Sequence, residues 1–236
     1  MAAASETKPE QAQASEWPDY DQVVTLEGVD WSAYERISAM KGDRAVPRLI
    51  YNQGSLTLVS PSQEHERPED RLDRLVMEIC IGLRITCMPV GKTRFRQESL
   101  GRGVEGDRAY YIAREPLVRH IKKIDIEVDP PPDLVIEVEL THPAENAIEA
   151  WCHFGVPELW YHNESRKTFA ILHLNDAGQY VESPISQAFP FLNAFEILSW
   201  IQEEEDEPES EWAGRLREWV HDVLAARQTH HRAMEE

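Results

Sequence analysis

Asp133-Leu134-Val135-Ile136-Glu137-Val138-Glu139-Leu140, preceded by Pro130-Pro131-Pro132, is the stretch on which the reading of this chain turns. Three prolines cannot join a ladder of backbone hydrogen bonds, so they form a stiff lead-in. The eight residues after them alternate. Leu134, Ile136, Val138 and Leu140 fall on one face of a strand, and Asp133, Val135, Glu137 and Glu139 on the other. Carboxylates two residues apart on an extended chain lie only about 7 Å from each other. They need open water or a compensating cation. A hard cation such as Mg²⁺, which binds through one or two carboxylates and keeps its waters, is one solution. A strand face turned to solvent is the other.

The flanks place this strand in a larger pattern. Downstream, Pro143 opens an expected helix through Phe154, with Gly155 as its stop. Strands are expected at 158–162 and 168–174, before the turn Asn175-Asp176-Ala177-Gly178. Upstream, 93–96 and 104–112 read as strands, and 121–128 is mixed. Pro68 suits a helical first turn, and Leu72, Leu75, Val76, Ile79, Cys80 and Leu83 then follow helical spacing. Asn52-Gln53-Gly54 between 48–51 and 55–59 is a hairpin signal. Asp30 caps a short helix through Met40, with Trp31, Tyr34, Ile37 and Met40 on one face. A last helix at 211–227 carries the stripe Trp212, Leu216, Trp219, Val220 and Val223, the pattern of a helix packed on its own domain. This order implies an α/β fold, a mixed sheet flanked by helices.

The 236 residues are 42% apolar and 28% charged, a globular balance. Residues 1–20 hold almost no large apolar side chains and are expected to form a disordered arm. A single domain is expected over 21–201, an acidic linker at 202–210, and the C-terminal helix and tail at 211–236. No run approaches the length of a membrane helix. The first residues lack a signal-type apolar core, and the three cysteines have no CxxC spacing, so a cytoplasmic protein with reduced thiols is expected. With 24 basic against 43 acidic residues the net charge is −19, which opposes general nucleic-acid binding. The charge is uneven: 203–211 holds a dense acidic run, whereas 91–123 holds nine Lys or Arg against four acids.

Several ordered blocks resemble the Uma2 family of the PD-(D/E)XK restriction-endonuclease-like superfamily. They are Val46-Pro-Arg-Leu-Ile-Tyr-Asn-Gln-Gly54 running into Ser55-Leu-Thr-Leu-Val-Ser-Pro-Ser-Gln-Glu-His-Glu66, then Phe95 to Ile112, then Asp129 to Glu139 followed by Gly155-Val-Pro-Glu-Leu-Trp160. The resemblance covers about 24–201. It implies a restriction-endonuclease-like mixed central sheet, with Asp107 and Glu137 as ligands of Mg²⁺ or Mn²⁺ and Glu139 beside them among the catalytic acids. It also points to Glu64 and His65 as accessory residues, to DNA as the partner, and to a homodimer. Arg94, Arg96 and Arg102 are candidates for holding flanking phosphates.

Two departures from the family matter. Its Glu-Pro-Asp is Glu105-Gly106-Asp107 here, and the lysine four residues before an aromatic is Ala147, four before Trp151. A lysine near the ion offsets charge in the transition state. Its absence sets two expectations side by side: a Mg²⁺-dependent endonuclease in which Lys92, Lys122 or an arginine supplies the charge, or a catalytically impaired nuclease fold acting as a nucleic-acid-binding or accessory protein.

Overall fold

The computed structural model describes residues 21–61, 63–91, 93–139, 144–202 and 207–235, except the side chains of 63–66 and 235. The arm at 1–20, Leu140, Pro143 and the acidic residues 203–206 therefore lie outside the described residues. The chain begins with β1 (Gln22–Leu26) and α1 (Trp31–Lys41), which Asp30 caps by accepting from the Ala33 N–H at 2.7 Å. Tyr34 of α1 is buried, but Met40 is 79% exposed, so the buried face is narrower than its spacing suggested. The hairpin β2 (Arg48–Asn52) and β3 (Ser55–Ser60) follows. Gln53 and Gly54 both take positive φ (47° and 101°), the left-handed pair that a two-residue hairpin turn demands.

After α2 (Gln63–Gly82) come β4 (Met88–Pro89), β5 (Arg94–Gln97), β6 (Arg102–Glu105) and β7 (Arg108–Tyr111). Pro68 lies inside α2, because the helix starts a turn earlier, at Gln63. The expected strand at 104–112 is two strands, and they belong to different sheets. The first sheet runs β1-β3-β2-β6-β5, antiparallel throughout. The chain crosses to the second sheet at Gly106-Asp107. The short α3 (Glu115–Val118) follows, and 121–128 holds no strand. Then come β8 (Leu134–Glu139), α4 (Glu145–His153), β9 (Glu158–Asn163), β10 (Thr168–Leu174) and β11 (Tyr180–Ser183). The second sheet runs β11-β10-β9-β8-β7-β4. It is mixed: β8 and β9 are parallel and joined through α4, as a parallel pair requires, and every other pairing is antiparallel. The expected mixed sheet flanked by helices is present, with a second, antiparallel sheet beside it.

The alternation of β8 is observed, but both of its faces are buried. Leu134, Ile136 and Val138 pack with Leu72, Leu75 and Ile79 of α2. Val135, on the opposite face, packs with Ala150, Trp151 and Phe154 of α4. The Glu137 side of the strand therefore faces protein, not water. The chain closes with α5 (Ala194–Ile201), α6 (Glu209–Trp219), a π-helical turn at 220–224 and α7 (Ala225–Glu235). Trp212, Leu216, Val220 and Leu224 are buried in the same core as α2, and the Trp212 indole donates to the Trp200 carbonyl at 3.0 Å. Leu224 rather than Val223 ends the buried row, at the π turn.

Because Trp212 is enclosed on every side, Trp212→Ala is expected to remove about 3–5 kcal/mol of stability. The urea midpoint measures this. A helix that docked only on a partner would leave the midpoint of the isolated chain unmoved.

Candidate functional site

The crossing between the two sheets carries Glu105-Gly106-Asp107, and each acid is held differently. Glu105 Oε1 accepts from Lys41 Nζ at 3.1 Å and from Arg94 Nε, while its Oε2 accepts from the Leu49 N–H at 3.1 Å. Asp107 is 1% exposed. Its Oδ1 pairs with the Arg48 guanidinium of β2, and its Oδ2 accepts from the Val138 N–H of β8 at 2.7 Å. Arg48 reaches further, donating to Glu69 Oε2 of α2 at 2.9 Å. Arg108 donates to the other oxygen of Glu69 and to Asp70 at 2.9 Å.

Glu137 is also buried and accepts from the Trp151 indole N–H at 2.5 Å. The Trp151 ring is itself fixed edge-on against Phe95, with centroids 5.3 Å apart. Gly106 is what makes room for this pair. A Cβ at position 106 would lie 2.6 Å from Glu137 Oε1 and 2.7 Å from Trp151 Cζ2. The departure from Glu-Pro-Asp thus has a steric counterpart, since the space a proline would need is filled.

Asp107 and Glu137 line one small cavity of about 10 Å³ together with Glu105, Arg48 and Ala147. The structure thus brings the two principal acids together, with Ala147 on the same wall. The positive charge in that cavity comes from Arg48, which sequence reasoning missed. A charged residue directly before the apolar run Leu49-Ile50-Tyr51, within the same strand, was the available signal, because a buried charge needs a partner. Lys122 lines a different cavity, and Lys92 lies outside the described residues.

Glu139 turns toward β9. Its Oε1 accepts from Asn163 Nδ2 at 2.7 Å, and its Oε2 accepts from the Tyr161 hydroxyl at 2.5 Å and the Ala144 N–H at 3.1 Å. Burial, with the Glu139 carboxylate beside it, raises the Tyr161 pKa above that of an ordinary phenol. The side chains of Glu64 and His65, in the first turn of α2, lie outside the described residues.

The three candidate arginines are divided. Arg94 and Arg96 line one cleft, which shares Glu105 with the acid cavity. Arg102 is turned to α4, donating to Glu149 Oε1 at 2.5 Å. Burial would push the Glu149 carboxyl up, but hydrogen bonds from Arg102 and Asn52 outweigh it and hold the pKa below the usual value.

The donors fit Mg²⁺ in kind. Asp107 and Glu137 are hard oxygen ligands in one cavity, and such an ion commonly takes only one or two carboxylates from the protein. Among the described residues no group of three or more His, Cys, Asp or Glu is placed to hold a metal ion, so any ion here would rest on the pair. It would compete with Arg48 for Asp107.

A mixed α/β body with two acids buried where its sheets meet has the layout of an endonuclease-like protein. Residues 31–204 match the model of Uma2, described as "Putative restriction endonuclease", and the chain belongs to that family. A solved structure described as "a putative nuclease belonging to DUF820" from Anabaena variabilis ATCC 29413 is 15% identical. The match covers 66% of this chain and 92% of that one, with a TM-score of 0.48. No curated protein matches the chain. No helix among the described residues is long and apolar enough to cross a membrane.

Removing one partner of a buried ion pair strands the other. Arg48→Met is therefore expected to cost about 3–5 kcal/mol in a denaturant titration. Gly106→Ala is expected to cost about 1–3 kcal/mol by overpacking against Trp151.

Proposed function

We propose that this protein is an endonuclease that hydrolyses DNA phosphodiester bonds with a Mg²⁺ or Mn²⁺ ion held by Asp107 and Glu137. The observation that carries the reading is the meeting of these two acids, one from the sheet crossing and one from β8, in one cavity. Family membership supports it, through a model described as "Putative restriction endonuclease". A bound ion would polarise a phosphate oxygen and lower the pKa of a coordinated water.

The chain's own residues supply the rest. The Val138 N–H fixes one oxygen of Asp107, and the Trp151 indole fixes one oxygen of Glu137, so both carboxylates are oriented before anything binds. Arg48 carries the fixed positive charge that the family draws from its lysine. A guanidinium has donors and no acceptor, so Arg48 offsets charge but cannot act as a base. Glu139, engaged by Asn163, Tyr161 and the Ala144 N–H, is turned away from the cavity lining and helps set the position of β8 against β9.

The pairing of Arg48 with Asp107, in a cavity that Ala147 also lines, favours a second reading: an impaired nuclease fold that binds nucleic acid or serves as an accessory protein. Plasmid nicking separates the two. The first reading expects cleavage with Mg²⁺ that EDTA abolishes and that falls about 100-fold or more in Asp107→Asn and Glu137→Gln. Wild-type protein that leaves plasmid intact, with cleavage gained in Ala147→Lys, supports the second. Undiminished cleavage by Asp107→Asn overturns the first.

A further inference from the structure

Beside the acid cavity lies a much larger cleft of about 770 Å³, walled by the C-terminal end of α1 with its following loop, by β5, and by the segment 121–124. Its lining carries Lys41, Arg44, Arg94, Arg96, Lys122 and Lys123 against two acids, Asp43 and Glu105. On a chain of net charge −19 this is a local reversal of sign.

The six cations do different jobs. Lys41 and Arg94 are spent on Glu105, and Arg94 also donates to Ser38 Oγ at 2.6 Å and to the Gly42 carbonyl at 3.1 Å. They hold the wall in place. The other four carry charge that is less compensated. Arg44 donates only to the backbone carbonyls of Met40 and Lys41, which leaves its charge without a carboxylate partner among the described residues. Arg96 meets Glu35 at 3.3 Å, with both side chains largely exposed. Lys122 and Lys123 are exposed and make no ion pair or hydrogen bond among the described residues.

We infer that this cleft binds the phosphates of a single nucleic-acid strand, with Lys122, Lys123, Arg44 and Arg96 as the contacting cations. The inference rests on the preceding reading for the chemical nature of the ligand. Four weakly compensated cations around one concavity attract a polyanion. The volume lies in the range of pockets that enclose small molecules, about 300–1,000 Å³. That suits one strand or an everted nucleotide better than a duplex. The neighbouring cavity, which shares Arg94, Arg96, Lys123 and Ile124, continues to Trp31 but is lined there by Glu35, Glu98, Asp125 and Glu127. Those acids repel phosphate and confine it to the basic end. That end includes Glu105, two residues from Asp107, so a strand held in the cleft lies next to the proposed reacting acids.

The test is fluorescence anisotropy of a labelled oligothymidylate with full-length protein in EDTA, so that no cleavage and no metal enters. Wild-type protein is expected to bind. Lys122→Ala/Lys123→Ala is expected to weaken binding tenfold or more. It is also expected to flatten the plot of log affinity against log salt by about 1.4, since each single-strand phosphate that a lysine neutralises contributes about 0.7 to the slope. Both lysines are exposed and unpaired among the described residues, so an unchanged circular dichroism spectrum and melting temperature are expected alongside. Wild-type protein that fails to bind the oligonucleotide, a double variant that binds as well as wild type, or tighter binding to duplex of the same length would each overturn the inference. Binding that persists in a protein that cuts nothing would remove the endonuclease reading and leave this one standing.

Discussion

Asp107 is buried together with Arg48, and the pairing offsets the cost of taking both charges out of water. Taking a carboxylate out of water costs several kcal/mol unless charge and hydrogen bonds are returned to it. Here the return comes from two directions, the Arg48 guanidinium and the Val138 N–H. Arg48 belongs to the first sheet and Val138 to the second, so satisfying one carboxylate fixes the sheets relative to each other. Glu69 adds the helix: it accepts from Arg48 on one side and from Arg108 on the other. The chain of charges from Asp107 through Arg48 and Glu69 to Arg108 thus ties β2, α2 and β7 to the crossing loop. Glu105, on the far side of Gly106, has its own cations in Lys41 and Arg94. The crossing is pinned at both ends, and the glycine between is the place where Glu137 and Trp151 close in.

That pinning accounts for the two departures from the family pattern together. Gly106 and Ala147 lie far apart in sequence, yet both border the region occupied by Glu137, Trp151 and Arg48. A smaller residue at 106 admits the Glu137–Trp151 hydrogen bond. A smaller, neutral residue at 147 leaves Arg48 as the cation of the cavity. The two changes act on one small volume, in which Arg48 of the first sheet is the lining cation.

How much of this was legible in the sequence follows from what sequence periodicity can encode. The alternation of β8, the Asp30 cap, the hairpin at Gln53-Gly54 and the strand–helix–strand order of β8, α4 and β9 all rest on local rules, and all are present. Asp107 and Glu137 were reached through the resemblance, which carries long-range information that spacing does not. Arg48 was missed because its partners, Asp107 and Glu69, lie 59 and 21 positions away, and no periodic pattern reports such a pairing. The split of 104–112 into two strands was missed although Gly106-Asp107 carried a local signal, since both residue types are depleted in strands and an interior glycine marks a bend. Pro68 misplaced the start of α2 because proline prefers a first turn but is tolerated one turn later at the loss of a backbone bond.

The net charge of −19 argues at first sight against a phosphate ligand, an objection that the proposed cleft has to meet. Net charge describes the field far from the molecule, where it governs solubility and encounter. At physiological salt, charges on an exposed surface are largely screened beyond about 8 Å. A ligand seated in a cleft therefore responds to the side chains lining it more than to the acidic run near α6. What those side chains present is asymmetric. Basic groups gather at the end that includes Glu105, and acids gather at the end near Trp31. An extended polyanion would be held at one end and repelled at the other, which would give the cleft a direction. That direction runs toward Glu105, and Glu105 is separated from Asp107 only by Gly106, the residue at which the sheets exchange the chain.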